Sequence, residues 1–239
     1  MIQNNSSENT KYEPEDTAKE STEKEEEDNV EETPIYDPAY YPAFQIDYDA
    51  LLGTNPEFAC VIYIPALNIL YPVVYSADNT DYLYKTFEGN KNSSGSIFYD
   101  ALSPRDFSGQ NTFLFGHNMK NGSMFGTLKK FDREKGLCAS NPFVYIYTKE
   151  FVRKYRIFSY YQTVEDSSSY DDFEGADGYD RYVRMICEHS SFVNGEKDID
   201  FTVRPQLLTL STCSGRAGSN KRYVVHAAQI SKIHLQFTR

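Results

Sequence analysis

Between Phe58 and Leu235 the sequence breaks into eight short apolar runs, each bounded by Gly, Pro, Asn or Asp. The runs are Phe58–Ile64, Leu67–Val74, Ser96–Tyr99, Thr112–Phe115, Phe143–Thr148, Phe151–Val164, Leu207–Ser211 and Arg222–Leu235. Helical patterns are inserted among them without regular alternation. That order argues against a parallel α/β sheet and predicts a mostly β fold, a closed or nearly closed eight-stranded β-barrel. Helical spacing of apolar residues occurs three times. Phe44, Tyr48, Leu51 and Leu52 form the first set, stopped by Gly53 and Pro56. Met124, Phe125, Leu128 and Phe131 form the second, with Ser123 as its N-cap. Tyr179, Tyr182, Val183, Ile186 and Cys187 form the third, which puts Cys187 on a buried stripe.

The 35 acidic and 24 basic residues are unevenly spread. Residues 1–33 hold 12 Asp or Glu against 3 Lys, so the remaining 206 residues are nearly neutral. The acidic stretch, with Glu23-Lys24-Glu25-Glu26-Glu27-Asp28 at its centre, has too little apolar surface to offset chain entropy and is expected to be a disordered linker. Residues 34–239 fit one domain, large enough to bury about 70% of its unfolded surface. Neither part carries the clustered Lys and Arg that bind a phosphate backbone, so nucleic acid is not an expected partner. No stretch approaches the roughly 18 apolar residues of a membrane span, and the start Met1-Ile2-Gln3-Asn4 has no signal-peptide pattern. These features predict a soluble chain.

Cys60, Cys138, Cys187 and Cys213 are widely spaced with no C-x-x-C pair, which argues against both a disulfide scaffold and a zinc site. No metal or cofactor is expected. Cys213 differs from the others because it follows the run Leu207-Leu208-Thr209-Leu210-Ser211-Thr212 and precedes a Gly-rich loop. A thiol on a rigid strand beside a mobile loop suits catalysis, although a free cysteine is more often a small buried hydrophobe. Cys60 in an apolar run, Cys187 on a helix face and Cys138 in a polar stretch fit the structural role.

A nucleophilic thiol needs a base or a positive neighbour. His117 closes the strand Thr112–Phe115 through Gly116, and His226 lies in the last strand. His189 falls in the last turn of the third helix, and His234 near the chain's end. Strand alternation puts Arg222, Val224 and His226 on one face. Arg222 could then hold negative charge on an acyl oxygen, and His226 rivals His117 as the base. Strand geometry does not choose between the two histidines.

Three ordered motifs settle the matter by likeness. Thr209-Leu210-Ser211-Thr212-Cys213, Lys221-Arg222 opening a Val-rich strand, and Phe115-Gly116-His117-Asn118-Met119 upstream together resemble the sortases of Gram-positive bacteria, class B most of all. Asn68–Val74, Gly95-Ser96-Ile97-Phe98 and Asn121–Phe125 extend the likeness over residues 44–239. The resemblance implies a sortase-type β-barrel with N-terminal helices and a long helix, about 179–190, before the cysteine strand. It implies transpeptidation of a C-terminal sorting signal, with Cys213 as nucleophile, His117 handling protons and Arg222 stabilising the acyl oxyanion. Asn79, Leu83, Ser211 and Tyr170 match positions that line the signal groove.

The family's partners follow from the same resemblance: surface proteins or pilins bearing the signal, and an amine from a peptidoglycan precursor or a lysine. It also implies a station on the outer face of the cell membrane, held by an N-terminal anchor absent from this chain. A pilin-polymerising sortase, or a thiol peptidase that only hydrolyses, are the alternative readings. One departure is local: class B members carry acidic residues directly after the cysteine, where this chain has Ser214-Gly215-Arg216.

Overall fold

A computed structural model describes residues 2–4, 40–214 and 218–235. It divides into two units, Met1–Asp47 and Tyr48–Arg239. In the first, β1 (Ile2–Asn4) pairs antiparallel with β2 (Phe44–Ile46). Apart from Ile2–Asn4, the acidic segment expected to be disordered lies outside the described residues. The first predicted helix is shorter than expected: Phe44 belongs to β2, and α1 spans only Tyr48–Thr54.

The second unit is built on the eight predicted strands. They are β3 (Phe58–Ile64), β4 (Ile69–Tyr75), β5 (Ile97–Tyr99), β6 (Asn111–Phe115), β7 (Phe143–Tyr147), β8 (Phe151–Val164), β9 (Leu207–Cys213) and β10 (Lys221–His234). They close into a barrel in the order β10-β8-β7-β3-β4-β5-β6-β9. The β4–β5 and β6–β9 pairs are parallel; the others are antiparallel.

Period-2 alternation explains the closure. Cys60, Ile62 and Ile64 from β3, Val144 and Ile146 from β7, Leu208 and Leu210 from β9, and Tyr223, Val225 and Ala227 from β10 all fall in one buried cluster. The intervening residues of β8–β10 are buried as well, because they are covered from outside. Phe158, Tyr161, Leu207, Val224 and Ala228 pack against Tyr179, Tyr182, Val183 and Ile186 of a long helix, Gly175–His189. Each such fully buried apolar side chain contributes about 1.5–3 kcal/mol. The third helical pattern is thus present, while Cys187 sits only half-buried at its edge.

The second helical pattern is not a helix of the expected length. Met124 has φ 53° and forms an isolated bridge with Asn118, so the backbone turns tightly where a helix was predicted to start. Only two single turns follow: α2 (Lys130–Arg133) and α3 (Leu137–Ser140), which precede the long helix, α4. The apolar spacing still serves the core, since Phe125, Leu128 and Phe131 are buried. Cys138, expected in a polar setting, is buried too. No helix among the described residues is long and apolar enough to cross a membrane.

Candidate active site

Strand pairing decides where the chemistry-bearing residues meet. In the parallel β6–β9 pair Phe115 is level with Ser211, and the amide of Gly116 extends the ladder to the Ser211 carbonyl at 3.2 Å. His117 and Cys213 each lie two residues further on, so they leave the barrel at the same end. In the antiparallel β9–β10 pair Arg222 stands directly opposite Cys213. Thiol, imidazole and guanidinium are therefore carried by three adjacent strands, which are spaced about 4.8 Å apart.

These residues line one cleft of about 320 Å³. Asn79, Leu83, Ser211 and Tyr170 line it as well, so the structure brings together all seven candidate residues. Phe98, Phe115, Gly116, Glu165 and Thr212 complete the wall. Of these, Glu165 is the polar contributor for which sequence reasoning had no signal beyond its place after a long strand.

Local chemistry fixes each wall. Gly116 has no side chain because a Cβ there would lie 2.8 Å from the Phe125 ring, which packs beneath the His117 turn. The Phe125 amide donates to the His117 carbonyl at 3.0 Å and closes that turn. The imidazole Nε2–H donates to the carbonyl of Leu83 at 2.7 Å, which sets the ring's tautomer when it is neutral. Leu83 itself is held against the barrel through Gly95, where a Cβ would lie 2.6 Å from the Leu83 carbonyl oxygen.

Asn79, in the left-handed region at φ 60°, caps no helix. Its amide donates to Asp100 at 2.6 Å and accepts from the Ala101 amide at 2.8 Å, which locks the turn between β4 and Leu83. Tyr170 ends a single 3₁₀ turn, Ser168–Tyr170, stacks on Phe115 and lies tilted against Phe113. Its hydroxyl lies 2.7 Å from Ser211 Oγ, and burial pushes its pKa up.

Arg222 is ion-paired with Glu165, and its Nη1 donates to the carbonyls of Ser219 and Lys221 at 3.1 Å each. Cys213 is exposed, whereas the other three thiols are pushed up by burial, Cys138 to about 12 and Cys187 to about 11. His226 is fully buried under α4, where Thr209 and the rings of Tyr161 and Tyr182 surround it. It does not line the cleft. His189 instead spends its Nδ1 on the Met185 carbonyl. No His, Cys, Asp or Glu cluster suited to a metal occurs among the described residues.

An exposed thiol level with an imidazole and opposite a guanidinium, on the rim of a closed barrel, is the layout of a cysteine enzyme acting on an acyl group. Residues 62–230 match the sortase domain. Sortase B of Listeria monocytogenes is 30% identical over 182 residues, spanning 74% of this chain and 72% of the relative. A crystal structure of Clostridium perfringens sortase B superposes with a TM-score of 0.69 at 32% identity, covering 77% of this chain and 99% of that one. A Staphylococcus aureus sortase B–substrate complex gives a TM-score of 0.69 at 27% identity, covering 77% and 84%. The chain belongs to the sortase family, class B, whose members are cysteine transpeptidases.

Proposed function

We propose that this sortase cleaves a C-terminal sorting signal after a threonine and transfers the protein to an amine acceptor of the cell wall. The observation that carries the reading is the single cleft shared by Cys213, His117 and Arg222 together with Asn79, Leu83, Ser211 and Tyr170. Phe98, Phe115 and Leu83 give it an apolar floor, and Ser211, Tyr170 and Asn79 give it polar points that suit an extended peptide.

In this reading the Cys213 thiolate adds to the threonine carbonyl carbon, and the electron pair moves to the oxygen. Arg222 N–H groups hold that oxyanion. As the C–N bond breaks, His117 gives a proton to the leaving amine, and a thioacyl-enzyme remains. An incoming amine adds to the thioester carbonyl, His117 takes up its proton, and the thiolate leaves. Water in place of the amine would give plain hydrolysis, and a pilin lysine would give a polymer.

The catalytic domain, residues 34–239, then works on the outer face of the membrane, joined to its anchor through the acidic residues 1–33. The relatedness to a sortase B solved with its substrate supports a peptide as the cleft's occupant. The test is a panel of peptides bearing different five-residue signals, incubated with and without an amine such as a glycine oligomer. Mass spectrometry should find a thioacyl adduct on Cys213 and, with amine, a ligated product. Hydrolysis alone at every amine concentration would overturn transfer in favour of a thiol peptidase.

A further inference from the structure

Arg222 is held by three hydrogen bonds, and their distribution over the guanidinium is informative. Both backbone contacts, to the carbonyls of Ser219 and Lys221, fall on the same nitrogen, Nη1. Both acceptors are neutral and both contacts are at 3.1 Å, the long end of the N–H···O range, so they hold that corner weakly. Nη2 is held by the Glu165 carboxylate, which lies in the turn directly after β8 and lines the same cleft. The charge-assisted bond is the stronger hold, and Glu165 supplies it at the second corner.

The carboxylate is itself well placed to do so. Val164, the last residue of β8, pairs with Lys221 at the start of β10. The Glu165 amide then continues the ladder by donating to the Asn220 carbonyl at 2.9 Å. Glu165 is thus anchored through its backbone to the same strand that carries Arg222. A planar fork of donors stabilises an oxyanion only when its N–H vectors point at the oxygen's position before the charge develops. Three of the five guanidinium N–H groups serve these contacts, which leaves two outside them.

We propose that Glu165 is a positioning residue that fixes the plane of the Arg222 guanidinium at the cleft, an inference that rests on the oxyanion role given to Arg222 above. The carboxylate touches no reacting atom; it acts through the arginine. Because what matters is an acceptor at the right reach, a neutral amide oxygen should replace it, whereas a carboxylate one methylene shorter should not.

The test compares Glu165→Gln, Glu165→Asp and Glu165→Ala with the wild type. The first readout needs no substrate: ¹⁵N relaxation at the Arg222 Nε–H, assigned as the resonance missing from Arg222→Lys. Its order parameter should stay high in wild type and Glu165→Gln and fall in Glu165→Asp and Glu165→Ala. The second is steady-state kinetics on a confirmed signal peptide. Losing a whole oxyanion donor costs about 10²–10³ in turnover, so loosening one should cost about tenfold in kcat for the Ala and Asp variants, with little change in KM. The Gln variant should keep most of its turnover. An unchanged order parameter in Glu165→Ala overturns the proposal, as does full activity in Glu165→Asp with loss in Glu165→Gln, which would mark charge as the operative property. If the wild type turns over no signal peptide, the sorting-signal reading fails, and the relaxation measurement still decides whether Glu165 fixes Arg222.

Discussion

The hydroxyl of Tyr170 lies 2.7 Å from Ser211 Oγ, across a cleft whose two walls come from segments 41 residues apart in sequence. Tyr170 belongs to the loop between β8 and α4, and Ser211 to the strand that ends at Cys213. The hydrogen bond ties that loop to the cysteine strand. Removing either partner leaves the other polar group without its contact, so Tyr170→Phe and Ser211→Ala should each weaken peptide binding by about 3- to 10-fold in KM, at roughly 1 kcal/mol per hydrogen bond. The double variant should cost little more than the worse single one. Strict additivity in the measured KM values would mean that the two side chains act independently.

Cys213 is exposed, Cys187 is half-buried and Cys60 and Cys138 are buried, which makes reagent access a direct assay. Brief treatment of the native protein with iodoacetamide should label Cys213 ahead of the rest, since burial holds Cys60, Cys138 and Cys187 in the protonated, unreactive form. Cys213→Ala should abolish both labelling and turnover. Cys60→Ser puts a hydroxyl into the barrel interior and should cost about 1–3 kcal/mol in urea unfolding. Early labelling at Cys60 would contradict its place in the core.

How far these features could be read beforehand depended on the range of the interaction involved. The eight strands were legible because alternation is local and the barrel's inner face imposes it from Cys60-x-Ile62-x-Ile64 to Tyr223-x-Val225-x-Ala227. Their ends were misjudged by a residue or two, as with Leu67, which falls in a 3₁₀ turn before β4. The helix expected from Met124 failed for a different reason. Its apolar spacing is real, but the left-handed turn at Met124 is set by packing around Phe125, which spacing does not record. Strand geometry left His117 and His226 as rivals because Arg222 and His226 share a face on β10. It is the parallel register of β6 with β9, a contact nearly a hundred residues apart, that puts His117 level with Cys213. The Arg222–Glu165 pair was illegible on the same ground, since it exists only through the register of β8 with β10.

His226 should govern stability rather than turnover. Thr209 Oγ1 gives its one proton to Asn111 Oδ1 at 3.0 Å, so it accepts from His226 Nδ1–H at 2.9 Å. That contact sets the tautomer of the neutral imidazole, whose Nε2 has no partner among the described residues. Protonation would bury an unpaired charge, and burial pulls the pKa down to about 3 from the ordinary 6.5. The unfolded chain binds the extra proton first, so this contribution is complete above pH 6.5 and is lost as the pH falls from there toward 3. The slope is about 1.4 kcal/mol per pH unit within that window. His226→Gln should retain activity and flatten the difference in unfolding free energy between pH 6.5 and 4.5 relative to wild type. A parallel pH dependence in the two proteins would remove His226 as the cause, and His117→Ala, in contrast, should inactivate.

Arg222 provides the sharpest separation of charge from geometry. Lys at this position would keep a positive charge opposite Cys213, yet one ammonium cannot serve the Ser219 and Lys221 carbonyls and the Glu165 carboxylate while presenting further donors to the cleft. If the oxyanion is held by a fixed fork, Arg222→Ala should lower kcat by about 10²–10³, and Arg222→Lys should lose most of that. Peptide affinity should suffer less than turnover, because the negative oxygen exists only along the reaction path. Steady-state kinetics with one confirmed peptide separates the two parameters. Near wild-type kcat in the Lys variant would reduce Arg222 to an electrostatic neighbour of the thiol. Arg216 would then be the next guanidinium to substitute, being the basic residue of the loop that joins Cys213 to Arg222 in sequence.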